Sequence, residues 1–387
     1  MKILYLSSSP KMSLTDRCGY CTHIAELIKA LEQMGNTVLP LIAGSDAQQN
    51  GNSSLINKIR AYLPGNVAEQ MRILYDIYFD FKYYSIADRT FLSFSPDVIY
   101  ERYEAFHRSG IKLKRKYEVP IMLEVNAPLS ERDLHYGHRK RKFAHIIEKR
   151  TLQWADAIIV VSEFLKKYLM ESGISESRIH IIPNAVDTDK FKPDIKGDSV
   201  RKKFHIQNKI VIGFVGGIER RHRINDLFAI LENLLGKNKQ IHLLIVGDGS
   251  NKKEYEAYVI KNSISDYVTF AGSVNYEDVP QYIAAMNIAV IPSTGIYCSP
   301  IKLFEYLAMG KAVVAPRLNN VEQIVTHEEN AYLFDPGDLS ALLDSLLVLC
   351  ENETLRSQIG SNARQIVLAN HTWKRNAERV MEVYSSF

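Results

Sequence analysis

Long apolar runs are absent from this sequence, and their absence excludes one class of protein. No stretch of its 387 residues approaches the ~18 uncharged apolar residues that a membrane-spanning helix needs. The first ten residues, MKILYLSSSP, contain an apolar part only as long as a strand, and no convincing small-residue cleavage site follows it. We therefore expect a core strand here instead of a signal peptide, and a cytoplasmic protein.

Cysteine is scarce as well, with four residues in the chain, which provide no disulfide framework. Cys18 and Cys21 form a C-G-Y-C motif between a predicted strand and a predicted helix, where a redox dithiol would lie. Because the surrounding chain supplies no thioredoxin-sized domain, we favour two small thiols, buried or in a loop. Cys298 and Cys350 have no nearby His or Cys partner, and metal-ligand spacing is absent from the sequence. No metal site is predicted.

Charge of one sign is not in large excess, since 48 Lys and Arg residues stand against 44 Asp and Glu residues, a formal net charge of +4. This balance does not indicate a nucleic-acid partner. The basic residues are concentrated in HRKRKFAHIIEKR, residues 138–150. A solvated helix face explains this stretch, and the alternative is electrostatic contact with an anionic membrane surface or a pyrophosphate-bearing acceptor.

Residues 71–92 carry many aromatic side chains at helical spacing and few charges. Packing in the core is the favoured interpretation of this segment. An interfacial or acceptor-facing helix is the alternative.

Short apolar runs alternate with helix-like stretches along almost the whole chain, which is typical of parallel sheets covered on both faces. The first set of predicted strands is 3–7, 38–42, 97–102, 121–125, 157–161 and 179–182. The second set is 210–215, 241–246, 268–271, 288–291, 311–315 and 332–334. Residues 183–198 are rich in Pro, Asp and Lys and predict a linker. We therefore expect two doubly wound α/β domains, residues 1–190 and 200–371.

The segment SPIKLFEYLAMG, from Ser299, predicts a helix whose start binds phosphate. Ser299 is a good N-cap and Pro300 a preferred first residue, so unpaired amides would attract an anion there. Lys302 and Glu305 share one helix face, with Glu305 about 8 Å from the cap. This spacing suits a nucleoside diphosphate, with its phosphates at Lys302 and its ribose at Glu305. Gly310 would end the helix in the left-handed conformation.

An ordinary amphipathic helix, with Ile301, Phe304 and Ala308 packed inward, would have a similar pattern. The strand-end motifs GFVGG (213–217), VGDG (246–249) and STG (293–295) favour the binding interpretation, because ligands of open α/β sheets bind at the carboxyl ends of strands. Turn formation alone also explains each glycine.

A basic cluster follows GFVGG. Arg220, Arg221 and Arg223 could clamp phosphate oxygens through their forked donors, although solvated charges explain at least two of the three. His222 among them could donate to a phosphate or be a surface histidine.

Taken together, these motifs resemble the family 4 glycosyltransferases, retaining enzymes of the GT-B type. The likeness covers nearly all of the chain, and the order and spacing of the motifs make it specific. After the glycine loop at Gly19, the motifs are PDVIYERY, LEVNAP, ADAIIVVS, IIPNAVDTDKF, GFVGG, LLIVGDG, VTFAGSV, AVIPS, SPIKLFEYLAMGKAVVA and AYLFDPGD. Residues 372–387 resemble the family's last helix, which crosses back to the first domain.

The resemblance implies two Rossmann-like domains facing each other across a cleft, with the acceptor on the first domain and the nucleotide sugar on the second. It implies transfer of a sugar to an acceptor hydroxyl with retained anomeric configuration. The departing phosphate would accept the proton of the attacking hydroxyl, and preorganised donors would stabilise the leaving diphosphate. This chemistry requires no metal and no cofactor besides the nucleotide sugar.

The resemblance also assigns residues to roles. The expected catalytic residues are Lys302, Arg221 and Asn126. The expected donor-binding residues are Gly19, Gly217, Arg221, His222, Arg223, Tyr297, Ser299, Ile301, Lys302, Leu303 and Glu305. The expected acceptor-binding residues are Glu101, Arg102 and Asn126.

Three positions depart from the family pattern. Tyr297 stands where the family has the first acid of its E-x7-E pair, so the sugar contact must come from Tyr297 or nearby amides. Asn126 stands where a histidine is frequent, and it can hydrogen-bond a sugar hydroxyl without acting as a base. His222 stands where a lysine is frequent.

The expected function is therefore transfer of a hexosyl or N-acetylhexosaminyl unit, from a UDP-sugar more than a GDP-sugar. The acceptor would be a glycan, a lipid-linked intermediate or a small polyol. The alternatives are a nucleotide-sugar epimerase on the same fold, and a protein that binds nucleotide sugars without catalysis.

Overall fold

The computed structural model describes residues 1–9, 19–44, 65–128 and 138–387, with the backbone alone at 19–20, 65–70, 72 and 138–144. The described chain divides into two compact units. Unit 1 comprises Met1–Pro183 and Trp373–Phe387, and unit 2 comprises Asn184–Thr372.

Unit 1 is built on a six-stranded parallel sheet with the order β2-β1-β3-β4-β5-β6. Its strands are β1 (Lys2–Ser7), β2 (Thr37–Ile42), β3 (Val98–Arg102), β4 (Ile121–Val125), β5 (Ala157–Val160) and β6 (Ile179–Ile181). Its helices are α1 (Gly19–Gln33), α2 (Gly65–Phe94), α3 (Ser109–Tyr117), α4 (His138–Gln153), α5 (Glu163–Glu171) and, from the other end of the chain, α14 (Trp373–Tyr384). The central strands are buried throughout because helices cover both faces.

Unit 2 is built on a second six-stranded parallel sheet with the order β12-β11-β10-β7-β8-β9. Its strands are β7 (Ile210–Val215), β8 (Ile241–Val246), β9 (Val268–Gly272), β10 (Ile288–Val290), β11 (Ala312–Pro316) and β12 (Tyr332–Phe334). Its helices are α6 (Asp198–Lys203), α7 (Asn225–Lys237), α8 (Lys252–Lys261), α9 (Val279–Ala284), α10 (Ile301–Ala308), α11 (Asn319–Glu322), α12 (Leu339–Glu351) and α13 (Glu353–Asn370).

The prediction of two doubly wound α/β domains is confirmed. All twelve predicted strands are present, and each strand end lies within one residue of its predicted position. Hydrophobic side chains from both faces of the second sheet pack into separate clusters against the flanking helices. The strand order of unit 2 reverses direction between β7 and β10, and this is where ligands of such sheets bind.

The predicted linker at 183–198 is wrong. Val186 and Phe191 are fully buried in the core of unit 2, and the Val186 amide donates to the carbonyl of His371 at 3.1 Å. The segment as a whole is polar and rich in proline, so its composition gave no sign that these two apolar side chains pack in a core. Residues 184–190, predicted in the first domain, consequently belong to unit 2.

The expectation of a thiol at Cys21 is also wrong, because Cys21 is disulfide-bonded. Cys18 lies outside the described residues. Cys350 carries a free thiol.

Helix α2 is only partly in the core, which corrects the favoured interpretation of residues 71–92. Tyr83, Ala87 and Phe91 are buried, whereas Leu74 and Phe81 are exposed. Within the described ranges, no helix combines the length and the apolar character needed to cross a bilayer.

Candidate functional site

The candidate site of unit 2 lies where β7 and β10 end side by side. The two strands pair in parallel, so their carboxyl ends lie at the same edge of the sheet. The GFVGG motif leaves β7 at this edge, and the loop that follows β10 leads into α10. Helix α10 is joined to β7 directly, because the Tyr306 hydroxyl accepts a hydrogen bond from the Val215 amide at 2.7 Å.

Helix α10 begins at Ile301, and its N-cap residue is Pro300, in extended conformation and without a side-chain cap. The prediction of Ser299 as N-cap is therefore wrong. The Ser299 hydroxyl instead accepts a hydrogen bond from the Asn184 amide at 2.9 Å, and the Ser299 carbonyl accepts one from the Asn184 side chain. Both groups are buried, so Ser299 acts as an anchor for the loop before the helix.

Lys302 carries a buried ammonium group for which the described part of the chain supplies no hydrogen-bond partner. The Nζ atom lies 4.0 Å from the centroid of the Phe214 ring, and it contacts Gly216 so closely that a Cβ at that position would collide with it. Burial, with the nearby Arg221 charge, lowers the pKa of Lys302 to about 7, against the opposing effect of Glu305. An anion at this point would stabilise the charged form.

Glu305 lies one turn further along α10 and is buried. Burial raises the pKa of its carboxyl group to about 7, although the hydrogen bond with Tyr276 and the charges of Lys302 and Lys190 act in the opposite direction. The Lys190 ammonium lies 3.8 Å from the centroid of the Tyr276 ring. The predicted pair Lys302 and Glu305 thus lies in a buried environment in which the two charges interact.

Tyr276 and Lys190 were missed by the sequence analysis. Tyr276 comes shortly after the VTFAGSV motif, which was the available signal. Lys190 lies in the segment taken for a linker, and nothing in its surroundings pointed to Glu305.

The end of α10 agrees with the prediction. The Met309 amide donates to the Glu305 carbonyl at 3.0 Å, and Gly310 follows with φ of 64°. This left-handed conformation favours glycine.

The three arginines after GFVGG differ in their partners. Arg220 pairs with Glu254 at 3.3 Å, and Arg223 donates to Asp226 at 2.7 Å. Arg221 is exposed and forms no salt bridge with any described residue. Arg221 is therefore the arginine of this cluster that a diphosphate could engage without breaking an ion pair.

His222 is oriented by the Gly217 carbonyl, which lies 2.6 Å from its Nδ1 atom. Burial and the charge of Lys302 lower the pKa of His222 to about 4, so the ring is neutral at pH 7. Since the carbonyl accepts, Nδ1 carries the proton and Nε2 is an acceptor. Donation from Nε2 to a phosphate, as predicted for His222, would require protonation first.

The other residues predicted to bind the donor differ in how far they are exposed to solvent. The Leu303 side chain is buried in the core, and its amide donates to the Pro300 carbonyl at 2.9 Å. Ile301 and Tyr297 are partly exposed, and Gly217 is exposed. Gly19 is the first residue of α1. Asn320 holds the loop that contains Tyr297 by donating to the carbonyls of Gly295, at 3.0 Å, and Cys298.

Unit 1 has a buried charge cluster at the carboxyl ends of β3 and β4, centred on Glu124. Its carboxylate accepts hydrogen bonds from Tyr100 at 2.7 Å, from Arg102 at 2.5 Å and from the Asn126 amide, and it lies 2.9 Å from His23 Nε2. Burial alone would raise the pKa of Glu124, but the charges of His23 and Arg102 hold it well below its ordinary value. Glu124 and His23 were missed, since the sequence places His23 on a distant helix.

The side chains predicted to bind the acceptor lie on opposite faces of the first sheet. Asn126 and Arg102 meet at Glu124, whereas Glu101 lies next to Arg102 in β3 and therefore faces the other side. The Glu101 carboxyl is buried against α3 and accepts from the Gly110 amide at 3.4 Å. Burial and the charge of Asp80 raise its pKa to about 8. The structure therefore brings two of the three residues together.

No cluster of three or more His, Cys, Asp or Glu residues suited to a metal ion occurs within the described ranges.

Family comparisons agree with this architecture. Residues 19–190 match the model described as Glycosyltransferase Family 4, and residues 196–366 match the model described as Glycosyl transferases group 1. The chain belongs to the family 4 glycosyltransferases.

Among its relatives, the chain is 28% identical over 234 residues to the phosphatidyl-myo-inositol mannosyltransferase of Mycobacterium tuberculosis, covering 59% of each chain. It is 23% identical over 256 residues to the capsular polysaccharide glycosyltransferase CapM of Staphylococcus aureus, covering 63% of this chain and 65% of CapM. An uncharacterized glycosyltransferase of Methanocaldococcus jannaschii is 23% identical over 239 residues, 62% of this chain and 60% of that protein. The chain thus spans about three-fifths of the length of these relatives.

Solved structures show the same fold over the full chain. Anabaena HepE in complex with UDP and glucose has a TM-score of 0.74 at 18% identity and covers 100% of both chains. Sucrose-phosphate synthase of Thermosynechococcus elongatus has a TM-score of 0.76 at 18% identity, covering 100% of this chain and 98% of that one. The two parallel sheets with flanking helices are those of GT-B glycosyltransferases.

Proposed function

We propose that this glycosyltransferase binds the diphosphate of a nucleotide sugar at the start of α10 and transfers a hexosyl or N-acetylhexosaminyl unit with retention of anomeric configuration. The observation that carries the proposal is the Lys302 ammonium group, buried at the end of β7 and unpaired among the described residues. A buried cation without a partner is costly, and a diphosphate would supply the compensating charge.

Glu305 supports a nucleoside diphosphate over simple phosphate. Its buried carboxylate, held by Tyr276, stands one turn behind Lys302, where it can accept hydrogen bonds from two ribose hydroxyls. UDP is the favoured nucleotide because HepE, which has the same fold, has been solved with UDP and with UDP-glucose.

The residues act mainly through charge. Lys302 and Arg221, with the free amides at the start of α10, would stabilise the negative charge that develops on the leaving diphosphate. That diphosphate would accept the proton of the attacking hydroxyl, and Asn126 would orient a sugar hydroxyl through its amide without transferring a proton. With two cations in these roles, we expect transfer to continue in the presence of EDTA.

The acceptor class is proposed as a glycan, a lipid-linked intermediate or a small polyol, bound near Arg102 and Asn126 in unit 1. Two of the relatives are named as a phosphatidyl-myo-inositol mannosyltransferase and a capsular polysaccharide biosynthesis glycosyltransferase, and both names are consistent with this acceptor class. We propose a cytoplasmic location, with residues 138–150 in contact with an anionic membrane; the side chains of residues 138–144 lie outside the described part of the chain.

Isothermal titration calorimetry with UDP, GDP and 2′-deoxy-UDP tests the donor site. Glu305→Ala should weaken UDP binding by about tenfold or more, the loss of a charge-assisted hydrogen bond, and should abolish discrimination against 2′-deoxy-UDP. Arg221→Ala should weaken binding of UDP, whereas Arg220→Ala, whose side chain pairs with Glu254, should not. Unchanged UDP affinity in Glu305→Ala would refute the ribose assignment.

Transfer is tested by incubating the protein with UDP-sugars and an acceptor panel, with and without EDTA, and assigning the product anomer by NMR. A product of inverted configuration would contradict the retaining mechanism. Formation of an epimer without acceptor would identify an epimerase instead. Tight donor binding without turnover on the whole panel would identify a non-catalytic nucleotide-sugar-binding protein.

A further inference from the structure

Glu124 is a buried carboxylate at the carboxyl end of β4, near the middle of the first sheet. Strands β3 and β5 pair with β4 on its two sides, and Glu124 lies in register with Arg102 and Ile159. The residue is 1% exposed. The place of this carboxylate is therefore fixed by the sheet as well as by its side-chain partners.

The two oxygens of Glu124 divide four partners between them. Oε1 accepts hydrogen bonds from Arg102 Nη1 at 2.5 Å and from Asn126 Nδ2. Oε2 accepts one from the Tyr100 hydroxyl at 2.7 Å and lies 2.9 Å from His23 Nε2, which donates to it. An ionised carboxylate offers about four acceptor sites, so Glu124 has none left for a substrate.

The charge of Glu124 decides which end of the Asn126 amide faces it. Burial alone would raise the pKa of Glu124, but the charges of His23 and Arg102 hold it well below its ordinary value. Glu124 is consequently ionised, and an ionised carboxylate accepts hydrogen bonds without donating any. The amide oxygen of Asn126 also only accepts, so the Nδ2 nitrogen must be the end that contacts Glu124.

The opposite end of this amide, Asn126 Oδ1, is left for another group. Asn126 is the first residue after β4 and is partly exposed. Its hydrogen bond within the described part of the chain is the one from Nδ2 to Glu124. An amide oxygen accepts hydrogen bonds, so Oδ1 can receive the proton of a sugar hydroxyl and fix the direction of that hydroxyl.

A purely stabilising ion pair explains only part of this arrangement. Arg102 is 7% exposed, and its buried cation requires a partner such as Glu124. The contact with Asn126 has no such purpose, because Asn126 is partly exposed and water could satisfy its amide. The same Glu124 oxygen nevertheless binds both side chains that are expected at the acceptor site.

We propose that Glu124 is a positioning residue of the transfer reaction. It holds the Asn126 amide through Nδ2 and thereby leaves Oδ1 to accept a hydrogen bond from a sugar hydroxyl. Glu124 acts through Asn126 and does not contact the substrate itself, because its own acceptor sites are filled. This inference rests on the proposed sugar transfer, which supplies the hydroxyl.

Nuclear magnetic resonance of the full chain, with isotopically labelled asparagine, tests the orientation of the amide. Asn126→Ala assigns the side-chain signal of Asn126 by its loss. In the wild type we expect one Nδ2 proton to be shifted downfield, because it donates to a carboxylate. Glu124→Gln should remove this shift, since a neutral amide is the weaker acceptor. The matched control Asp156→Asn changes a carboxylate at the amino ends of β4 and β5, where it accepts from the Ile121 amide at 2.8 Å, and should leave the Asn126 signal unchanged.

A double-mutant cycle on transfer from UDP-glucose to glycerol, or to a faster acceptor of the panel, tests the effect on the reaction. Asn126→Ala alone should lower kcat/KM by about tenfold or more, the loss of one well-placed hydrogen bond. In the Glu124→Gln background the same substitution should lower it by about threefold or less, because Asn126 is no longer held there. The affinity for UDP should be the same in every variant, since the nucleotide site lies in unit 2.

Two outcomes would overturn the proposal. One is an Asn126 signal that is not shifted in the wild type, a measurement that needs no folded variant at position 124, or one that a folded Glu124→Gln protein leaves in place. The other is additive losses of kcat/KM in the cycle, because Glu124 and Asn126 would then act independently. Absence of transfer to glycerol and to the whole panel would refute the proposed function instead, and the resonance comparison would still decide whether Glu124 holds the Asn126 amide.

Discussion

Burial shifts the pKa values of Lys302 and Glu305 toward each other, because it disfavours the charged form of each side chain. Both reach about 7 in the free protein. A diphosphate beside Lys302 would favour the ammonium form, and ribose hydroxyls would favour the Glu305 carboxylate. Binding of a nucleotide and protonation of these two residues are therefore coupled.

At pH 8 we expect binding of a UDP-sugar to take up protons. Lys302, with a pKa of about 7, is mostly neutral at that pH, and the bound diphosphate raises this pKa. At pH 6 Lys302 is already protonated in the free protein, so binding of the UDP-sugar should cause no proton uptake by Lys302. Calorimetry in two buffers of different ionisation enthalpy measures the protons exchanged. Lys302→Met should abolish the uptake at pH 8, and an uptake that persists in this variant would place the titrating group elsewhere.

At the scale of elements, β7 and α10 form one structural piece. Tyr306 of α10 accepts from the Val215 amide of β7, and Lys302 of α10 covers Phe214 and Gly216. Gly216 has φ of 141°, a conformation that other residues rarely adopt. This glycine lets the lysine approach the strand end.

Two glycine-to-alanine substitutions should have opposite effects on stability. Gly216→Ala should destabilise unit 2 by about 1–3 kcal/mol and weaken UDP binding, because its φ is unsuited to alanine and its Cβ would displace the Lys302 ammonium. Gly236→Ala, in α7 with open space around the new Cβ, should stabilise by up to about 1 kcal/mol. Urea unfolding and calorimetry measure both effects. Equal stability changes in the two variants would contradict this account.

At the scale of the whole molecule, the last helix completes unit 1. Trp373, Ala377 and Val380 of α14 are buried, and the Trp373 ring lies 5.2 Å from that of His23 in α1, centroid to centroid. Unit 1 is therefore built from both ends of the chain, and unit 2 from one continuous segment.

Trp373→Ala should destabilise unit 1 by about 3–5 kcal/mol, because it removes a large side chain from a packed core. The affinity for UDP should change little, since the nucleotide site is built from residues of unit 2. Thermal unfolding with and without UDP separates the two effects. A strong loss of UDP affinity in a folded Trp373→Ala protein would contradict our expectation that the nucleotide site of unit 2 does not depend on the packing of unit 1.

Much of the fold could be predicted, because it depends on local patterns. Apolar runs of strand length marked all twelve strands, and Gly310 marked the end of α10, since its left-handed conformation is a property of one residue. The pair Lys302 and Glu305 was also predictable, because three residues of helix place them on one face. The glycosyltransferase class followed from motif order.

The sequence by itself determined the two parallel sheets, the family and the helix that carries Lys302 and Glu305, since each is encoded by neighbouring residues. Only the tertiary structure decided the rest. The Asn184 amide donates to the Ser299 hydroxyl, 115 positions away in the chain. Tyr276 forms a hydrogen bond with Glu305, and His23 forms one with Glu124. It also decided which side of α2 is exposed. Such contacts form between elements that are distant in sequence, so the packing of the folded chain specifies them.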